Sequence, residues 1–177
     1  MTTVTSASSI TLVTLQNCPP DIAFCGRVFT KIADLGVVVD MISLAPNHGS
    51  KMDVSFTIND DDLGEILEFL SKLKEKDIKP IISGGNSKIN VYDEKMKDTP
   101  GMAAKVFTAA SASSTDIRIV TTSDVDISIL VTEADFHGAS TGIQNASKEA
   151  KNRVARVFLW GRLHFCKRPF FSKLQVQ

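Results

Sequence analysis

An α+β fold of two ferredoxin-like βαββαβ units, sheets with helices on one face, is predicted by three observations. β-branched apolar runs alternate with stretches of helical periodicity. Residues that start helices or break the chain stand between them, among them Pro19-Pro20-Asp21, Gly36, Pro46 and Asn59. The same order of segments then occurs a second time, and a helix and a strand of the two copies align at one constant offset of 78 residues.

The first copy opens with Ile10 to Leu15, a strand closed by the prolines. Phe24, Val28, Ile32 and Leu35 follow at helical spacing and stop at Gly36, a favoured helix terminator. Val37 to Leu44 reads as a second strand, and Met52, Val54, Phe56 and Ile58 alternate as a half-buried third. Asn59 or Asp60 can cap the next helix, and Asp60 to Asp62 suit the positive end of its dipole. Leu63, Ile66, Leu67, Leu70 and Leu73 form its apolar stripe. Strand Lys79 to Ile82 completes the copy, and Gly84-Gly85-Asn86 reads as a turn between the units, since no Gly-Lys-Ser/Thr ending makes it a phosphate loop.

The second copy runs from strand Lys88 to Tyr92 through helix Met102 to Ala112 to strands Asp116 to Thr121 and Val125 to Val131. Gly26-Arg27-Val28-Phe29-Thr30 aligns with Ala104-Lys105-Val106-Phe107-Thr108, and Val39-Asp40-Met41-Ile42-Ser43 with Ile117-Arg118-Ile119-Val120-Thr121. Two copies of one unit, each with right-handed crossovers, place both helices of a unit on one sheet face.

With 177 residues, 43% of them hydrophobic, the chain can bury a core. Twenty basic and twenty acidic residues cancel, so overall charge points neither to nucleic acid nor to a membrane surface. The cancellation hides an acidic body, Met1 to Lys148 with thirteen basic and nineteen acidic residues, and a cationic tail, Glu149 to Gln177 with seven and one. Cys18, Cys25 and Cys166 form no C-x-x-C pair, which argues against a disulfide framework or a zinc site and fits a reducing cytoplasm. Residues 1–30 lack the pattern of a secretory signal, and no apolar run approaches the ~20 residues that span a bilayer. His48, His137 and His164 are scattered without metal-ligand spacing and read as surface residues. Asp60 to Asp62 lack a spaced oxygen-ligand loop and read as helix capping. Neither phosphate-cradling glycines with a lysine nor a nucleophile with its base is evident, so no catalytic residue is assigned and the chain alone is expected to be inactive.

From about Thr3 to Ala139 the chain resembles the regulatory half of aspartokinases. Four stretches carry the resemblance: Ile10-Thr11-Leu12-Val13-Thr14-Leu15, Val37-Val38-Val39-Asp40-Met41-Ile42, Met52-Asp53-Val54-Ser55-Phe56-Thr57, and Thr121-Thr122-Ser123-Asp124-Val125-Asp126-Ile127-Ser128-Ile129. The last is similar to a T-S-E-I-x-I-S-V motif of that family, and Thr99-Pro100-Gly101-Met102-Ala103-Ala104-Lys105-Val106-Phe107 to its H-P-G-V-A-A-K-x-F. The resemblance implies two interleaved ACT domains, residues 8–82 as the first and 1–7 plus 83–147 as the second, with Thr2 to Ser6 completing the second sheet. It implies feedback control by lysine and/or threonine of an enzyme that phosphorylates aspartate with ATP, in the biosynthesis of lysine, threonine and methionine. ATP and Mg would belong to a kinase domain whose Lys-Phe-Gly-Gly-Thr-Ser opening is absent here, leaving no cofactor for this chain. A separately produced small subunit or a truncated fragment is the expectation, pairing as a homodimer, with an aspartokinase catalytic subunit as a further candidate partner. A truncated or chimeric module serving only dimerisation or interaction is the alternative.

An amino-acid pocket needs donors for a carboxylate and an acceptor for an ammonium. Asp21, Ile22, Ala23 and Cys25 feed a helix N-terminus whose free N–H groups suit a carboxylate. Asp40 is an ammonium acceptor by charge-assisted hydrogen bonding, and Ser43 adds a hydroxyl. Met96 and the run Thr121, Thr122, Ser123 and Asp124 offer the corresponding set in the second unit, although such a run is also ordinary β-turn chemistry. The loops depart from the family: Ala23 replaces the glycine of P-x-x-P-G, and the second loop reads Tyr92-Asp93-Glu94-Lys95-Met96-Lys97. After about Ser147 the resemblance ends. Residues 148–177 interleave Arg153, Arg156, Arg162, Lys167 and Arg168 with aromatics and read as a disordered, unselected extension, or else as a surface for RNA or an anionic membrane.

Overall fold

The computed structural model describes residues 2–46, 51–73, 75 and 77–147. The expected disorder of the tail therefore lies outside the described residues, as do His48, His164 and Cys166. The elements are β1 (Thr3–Cys18), α1 (Ile22–Asp34), β2 (Ile42–Pro46), β3 (Met52–Asn59), α2 (Leu63–Ser71), β4 (Lys79–Tyr92), α3 (Met102–Ala112), β5 (Ile117–Thr122), β6 (Asp126–Thr132) and α4 (133–147). One six-stranded antiparallel sheet runs in the order β2-β3-β1-β4-β6-β5.

Two strands are longer than the sequence pattern predicts. Of the separate strands Thr2 to Ser6 and Ile10 to Leu15, all but Thr2 lies in the single strand β1; Lys79 to Ile82 and Lys88 to Tyr92 are likewise one strand, β4. Gly84-Gly85 is thus not a turn between units. Gly85 takes φ +65° inside the strand, and the β1–β4 ladder shifts register between Ala7 and Leu12, opposite it. A bulge accounts for both: glycine adopts the left-handed conformation without a Cβ clash, and the chain bends without ending the ladder.

Each half of the long strands belongs to a different βαββαβ set. The outer half of β1 and the start of β4 join β2 and β3 under α1 and α2; the start of β1 and the end of β4 join β5 and β6 under α3 and α4. Val13, Leu15, Val54, Phe56 and Ile58 pack on Phe24, Val28, Ile32 and Ile66 as the first core. Ile89, Val91, Ile127, Ile129 and Val131 pack on Val106, Ala109, Ala139 and Ile143 as the second. Leu12 and Leu130, one residue out of phase with these rows, point to the opposite, helix-free faces. There they join Ile10, Met41 and Ile119 in a third buried cluster that closes the two sets on each other.

Local differences have local causes. Of the predicted strand 37–44 only Ile42 to Leu44 lie in β2, which runs on to Pro46; Val37 N still donates to Ile32 O at the end of α1, and Asp40 and Met41 bond to β3 through Thr57 alone. Asn59 caps a 3-10 turn, Asp60–Asp62, that leads into α2. In α2 the buried stripe is Ile66, Phe69 and Leu70, while Leu67 is half exposed, so Phe69 replaces Leu67 on the predicted face. In α4, where Ala134, Phe136, Ala139 and Ile143 recur as a weak apolar set over Glu133 to Ala146, Ala134 is exposed and Ala139 and Ile143 are buried.

Candidate functional site

Three places carry the residues singled out by sequence: the start of α1, the seam between the two sets, and the loops around the start of α3. At the first, Asp21 is the N-cap of α1, and its Oδ1 accepts from Ala23 N at 2.9 Å. A carboxylate therefore already stands where helix dipole and free N–H groups would draw one. Ile22 and Ala23 are exposed on the first turn. Cys25 lies in the first core, 4% exposed, and Cys18 belongs to the same core. Burial pushes the Cys25 thiol above its ordinary pKa and pushes Cys18 up to about 11, so neither is a thiolate at neutral pH.

At the seam, Asp40 precedes β2 and is held by its backbone: Asp40 N donates to Thr57 O, and Met41 N to Thr57 Oγ1 at 2.9 Å. Its carboxylate faces the other set, where Lys88 Nζ on β4 donates to Oδ2 at 2.5 Å. Sequence reading missed Lys88 because the partners are 48 residues apart and no local pattern joins them. Ser43 sits on β2 opposite Ser55, which in turn shares a 2.9 Å hydrogen bond with Thr14.

Around α3 the arrangement is more open. Gly101 is the N-cap at φ 92°, with no side-chain bond to the helix start. The preceding 3-10 turn, Glu94–Asp98, is capped by Asp93 through Lys95 N, and it seats Met96 against the second core. Asp93 is buried, and the Thr2 hydroxyl and the Lys95 amide hold its carboxyl below the ordinary range. Its own N–H donates to Val125 O at 2.8 Å, which ties this loop to the β5–β6 hairpin. Asp93 escaped the sequence reading, although an Asp directly before a helical turn, bonded to the amide two residues on, is a readable cap signal.

Thr121 and Thr122 end β5, opposite Ser128 and Ile127. Ser123 builds the hairpin turn: its hydroxyl donates to Asp126 Oδ1 at 2.7 Å and accepts from the amides of Val125 and Asp126. Asp124 is exposed at the tip. The structure thus groups Met96 with Thr121 to Asp124 around one pair of loops, and separates them from Asp21 to Cys25 at the start of α1. Elsewhere an open groove of about 550 Å³ separates the end of α1 from α2, lined by Lys31, Leu35, Glu65, Phe69 and Lys72. Among the described residues no cluster of His, Cys, Asp or Glu could hold a metal ion, and no helix is long and apolar enough to cross a membrane.

Comparison with known proteins adds the following. Residues 89–146 match the model of the ACT domain. An aspartokinase of Geobacillus stearothermophilus is 29% identical over 146 residues, which cover 82% of this chain and 35% of that protein. An aspartokinase of Thermus thermophilus is 30% identical over 120 residues, 66% of this chain and 30% of that one. The chain spans about a third of the length of the curated relatives it matches. Among solved structures, the ligand-free regulatory subunit of aspartate kinase from Thermus thermophilus superposes with a TM-score of 0.75 at 26% identity, covering 81% of this chain and 95% of that subunit. The corresponding subunit from Thermus flavus gives 0.74 at 27% identity with the same coverage.

Proposed function

We propose, for a chain that carries the tandem ACT architecture of aspartokinase regulatory regions, that it is an amino-acid sensor that controls an aspartate kinase. Lysine and/or threonine is the effector, the controlled reaction is ATP-dependent phosphorylation of L-aspartate to 4-phospho-L-aspartate, and the compartment is the cytoplasm. ATP and Mg belong to the kinase partner and not to this chain. The proposed units are residues 8–82 and 1–7 plus 83–147, a division supported by the two separate cores and the shared long strands.

The observation that carries the reading is the open start of α3, an N-terminus with left-handed Gly101 and no side-chain cap beside a loop tied to the β5–β6 hairpin. Unpaired N–H groups at a helix start are suited to an amino acid's carboxylate; Asp40, suited to an ammonium, stands apart from that helix start, at the seam on Lys88, and belongs to the first unit's share of the reading. Effectors sit between units of paired copies, so association and binding are coupled. Acceptors already occupied at Asp21 and Ser123 favour the second reading, a module serving only dimerisation.

Isothermal titration of the purified chain with L-lysine, L-threonine and L-methionine separates the two. Saturable binding of one amino acid, weakened about tenfold or more by Asp40→Ala, is the expected result, since charge-assisted hydrogen bonds contribute roughly 1.5–3 kcal/mol. A folded dimer that binds none of the three leaves the dimerisation module as the account.

A further inference from the structure

The ion pair at the seam is unequal. Lys88 is 19% exposed and Asp40 53%, so the lysine is the enclosed partner and the carboxylate the accessible one. Lys88 stands between Ala7 and Leu130 on the helix-free face of its strand, at the margin of the cluster that joins the units. Its stem crosses apolar surface, and an ammonium so placed is costly to leave without an anion. Asp40 is fixed in turn by Thr57 and by the neighbouring Met41, which is buried in that cluster. The repeat makes the pair one-sided: at the 78-residue offset Asp40 corresponds to Arg118 and Lys88 to Ile10, and Arg118 pairs with Asp116 at 2.9 Å.

We propose that Lys88 is a built-in occupant of the Asp40 acceptor, whose ε-ammonium an incoming amino acid's ammonium must displace. This rests on the sensor reading of Asp40 and specifies how that site is regulated. A primary ammonium on a flexible tether already satisfies the carboxylate, so the effector competes with a group of its own chemical class. Displacing Lys88 also removes the charged contact across the seam, which couples occupancy to the relative hold of the two units.

The test compares the wild-type chain, Lys88→Met and Lys88→Arg. Met keeps an apolar stem without the charge, and Arg keeps the charge. Each is titrated calorimetrically with L-lysine and L-threonine. In parallel, acetylation of the wild-type lysines is followed by mass spectrometry with and without saturating amino acid. Lys88→Met is expected to bind about tenfold more tightly than wild type and Lys88→Arg to stay near it. Acetylation of Lys88 in the wild type should rise several-fold at saturation, while that of Lys31 on α1 stays constant. An unchanged Lys88 rate at saturation overturns the displacement and leaves the sensor reading intact, whether or not Lys88→Met folds. If neither wild type nor a folded Lys88→Met binds, the sensor reading falls and the displacement falls with it.

Discussion

The two βαββαβ units share a topology and differ in what fills it. The first packs aromatic rings, Phe24 and Phe56 with Phe29 edge-on to Phe56 at 5.6 Å, and encloses two thiols. The buried residues of the second are aliphatic, with Phe136 only at their margin, and α3 and α4 approach closely where Gly138 and Gly142 face Ser113 and Ala109. The first helix of one unit is capped by a carboxylate, and its counterpart α3 starts at an uncapped glycine. One unit thus closes the position that the other leaves open. A repeated fold therefore does not imply a repeated site, because topology is set by the apolar rows and ligand chemistry by a few residues in the loops.

The largest expected effect tests whether the units are energetically separable. Phe56→Ala, at a position with no exposed surface, should cost roughly 3–5 kcal/mol. Because β1 and β4 run through both units of the one sheet, urea unfolding should remain a single transition in which circular dichroism and exposure of the Cys18 and Cys25 thiols coincide. Two resolved transitions would show that the long strands do not couple the units.

Next comes the contact peculiar to the second unit. A Cβ on Gly142 would stand 3.0 Å from Ala109 O, a backbone atom, so Gly142→Leu should cost about 1–3 kcal/mol in thermal or urea unfolding. A neutral result would mean that α4 moves outward freely. The helix starts give a smaller effect. Asp21→Ala should cost about 1 kcal/mol through loss of the cap, and it should open α1 to anions, seen as a larger stabilisation by sulfate than in the wild type. Equal sulfate response would weaken the contrast drawn between α1 and α3.

The smallest effects separate the units by pH. In the second unit, the Thr2 hydroxyl and the Lys95 amide lower Asp93, and the Asp116 amide and the Thr132 hydroxyl lower Asp135, from an ordinary value of 3.8. A depressed carboxyl contributes stability above its unfolded pKa and loses it as pH falls through the folded one. Asp135→Asn should therefore flatten the acid limb of the stability curve. In the first unit burial raises Cys18 from 9.0 to about 11, so its contribution is full below 9 and lost as pH rises through about 11. Cys18→Val should flatten the alkaline limb and leave the acid one unchanged.

Much of this contrast is legible along the chain. Val28 and Val106, aligned by the repeat, are both buried, as are Ile32 and Ala110, since helical periodicity reports which face meets a sheet. Met41 and Ile119, also aligned, meet in the seam cluster, although nothing local marks them as contacts between units. The turn chemistry of Ser123 and the helix cap at Asn59 depend on neighbours two or three residues away and are readable for that reason, whereas Asp21, equally local, is a cap where the sequence suggested a ligand site. The bulge at Gly85 was misread as a turn, because a glycine pair has the same signature whether the chain reverses or merely bends.

What the sequence by itself determined is the succession of strands and helices, the two apolar cores and the cap at Asn59, all of which follow from side-chain period and short-range hydrogen bonding. Only the tertiary structure decided that two pairs of predicted strands are two continuous ones, and that the helix-free faces close on each other. It alone set Lys88 against Asp40, because an ion pair between residues 48 apart is created by the folding of the sheet and leaves no trace in local pattern.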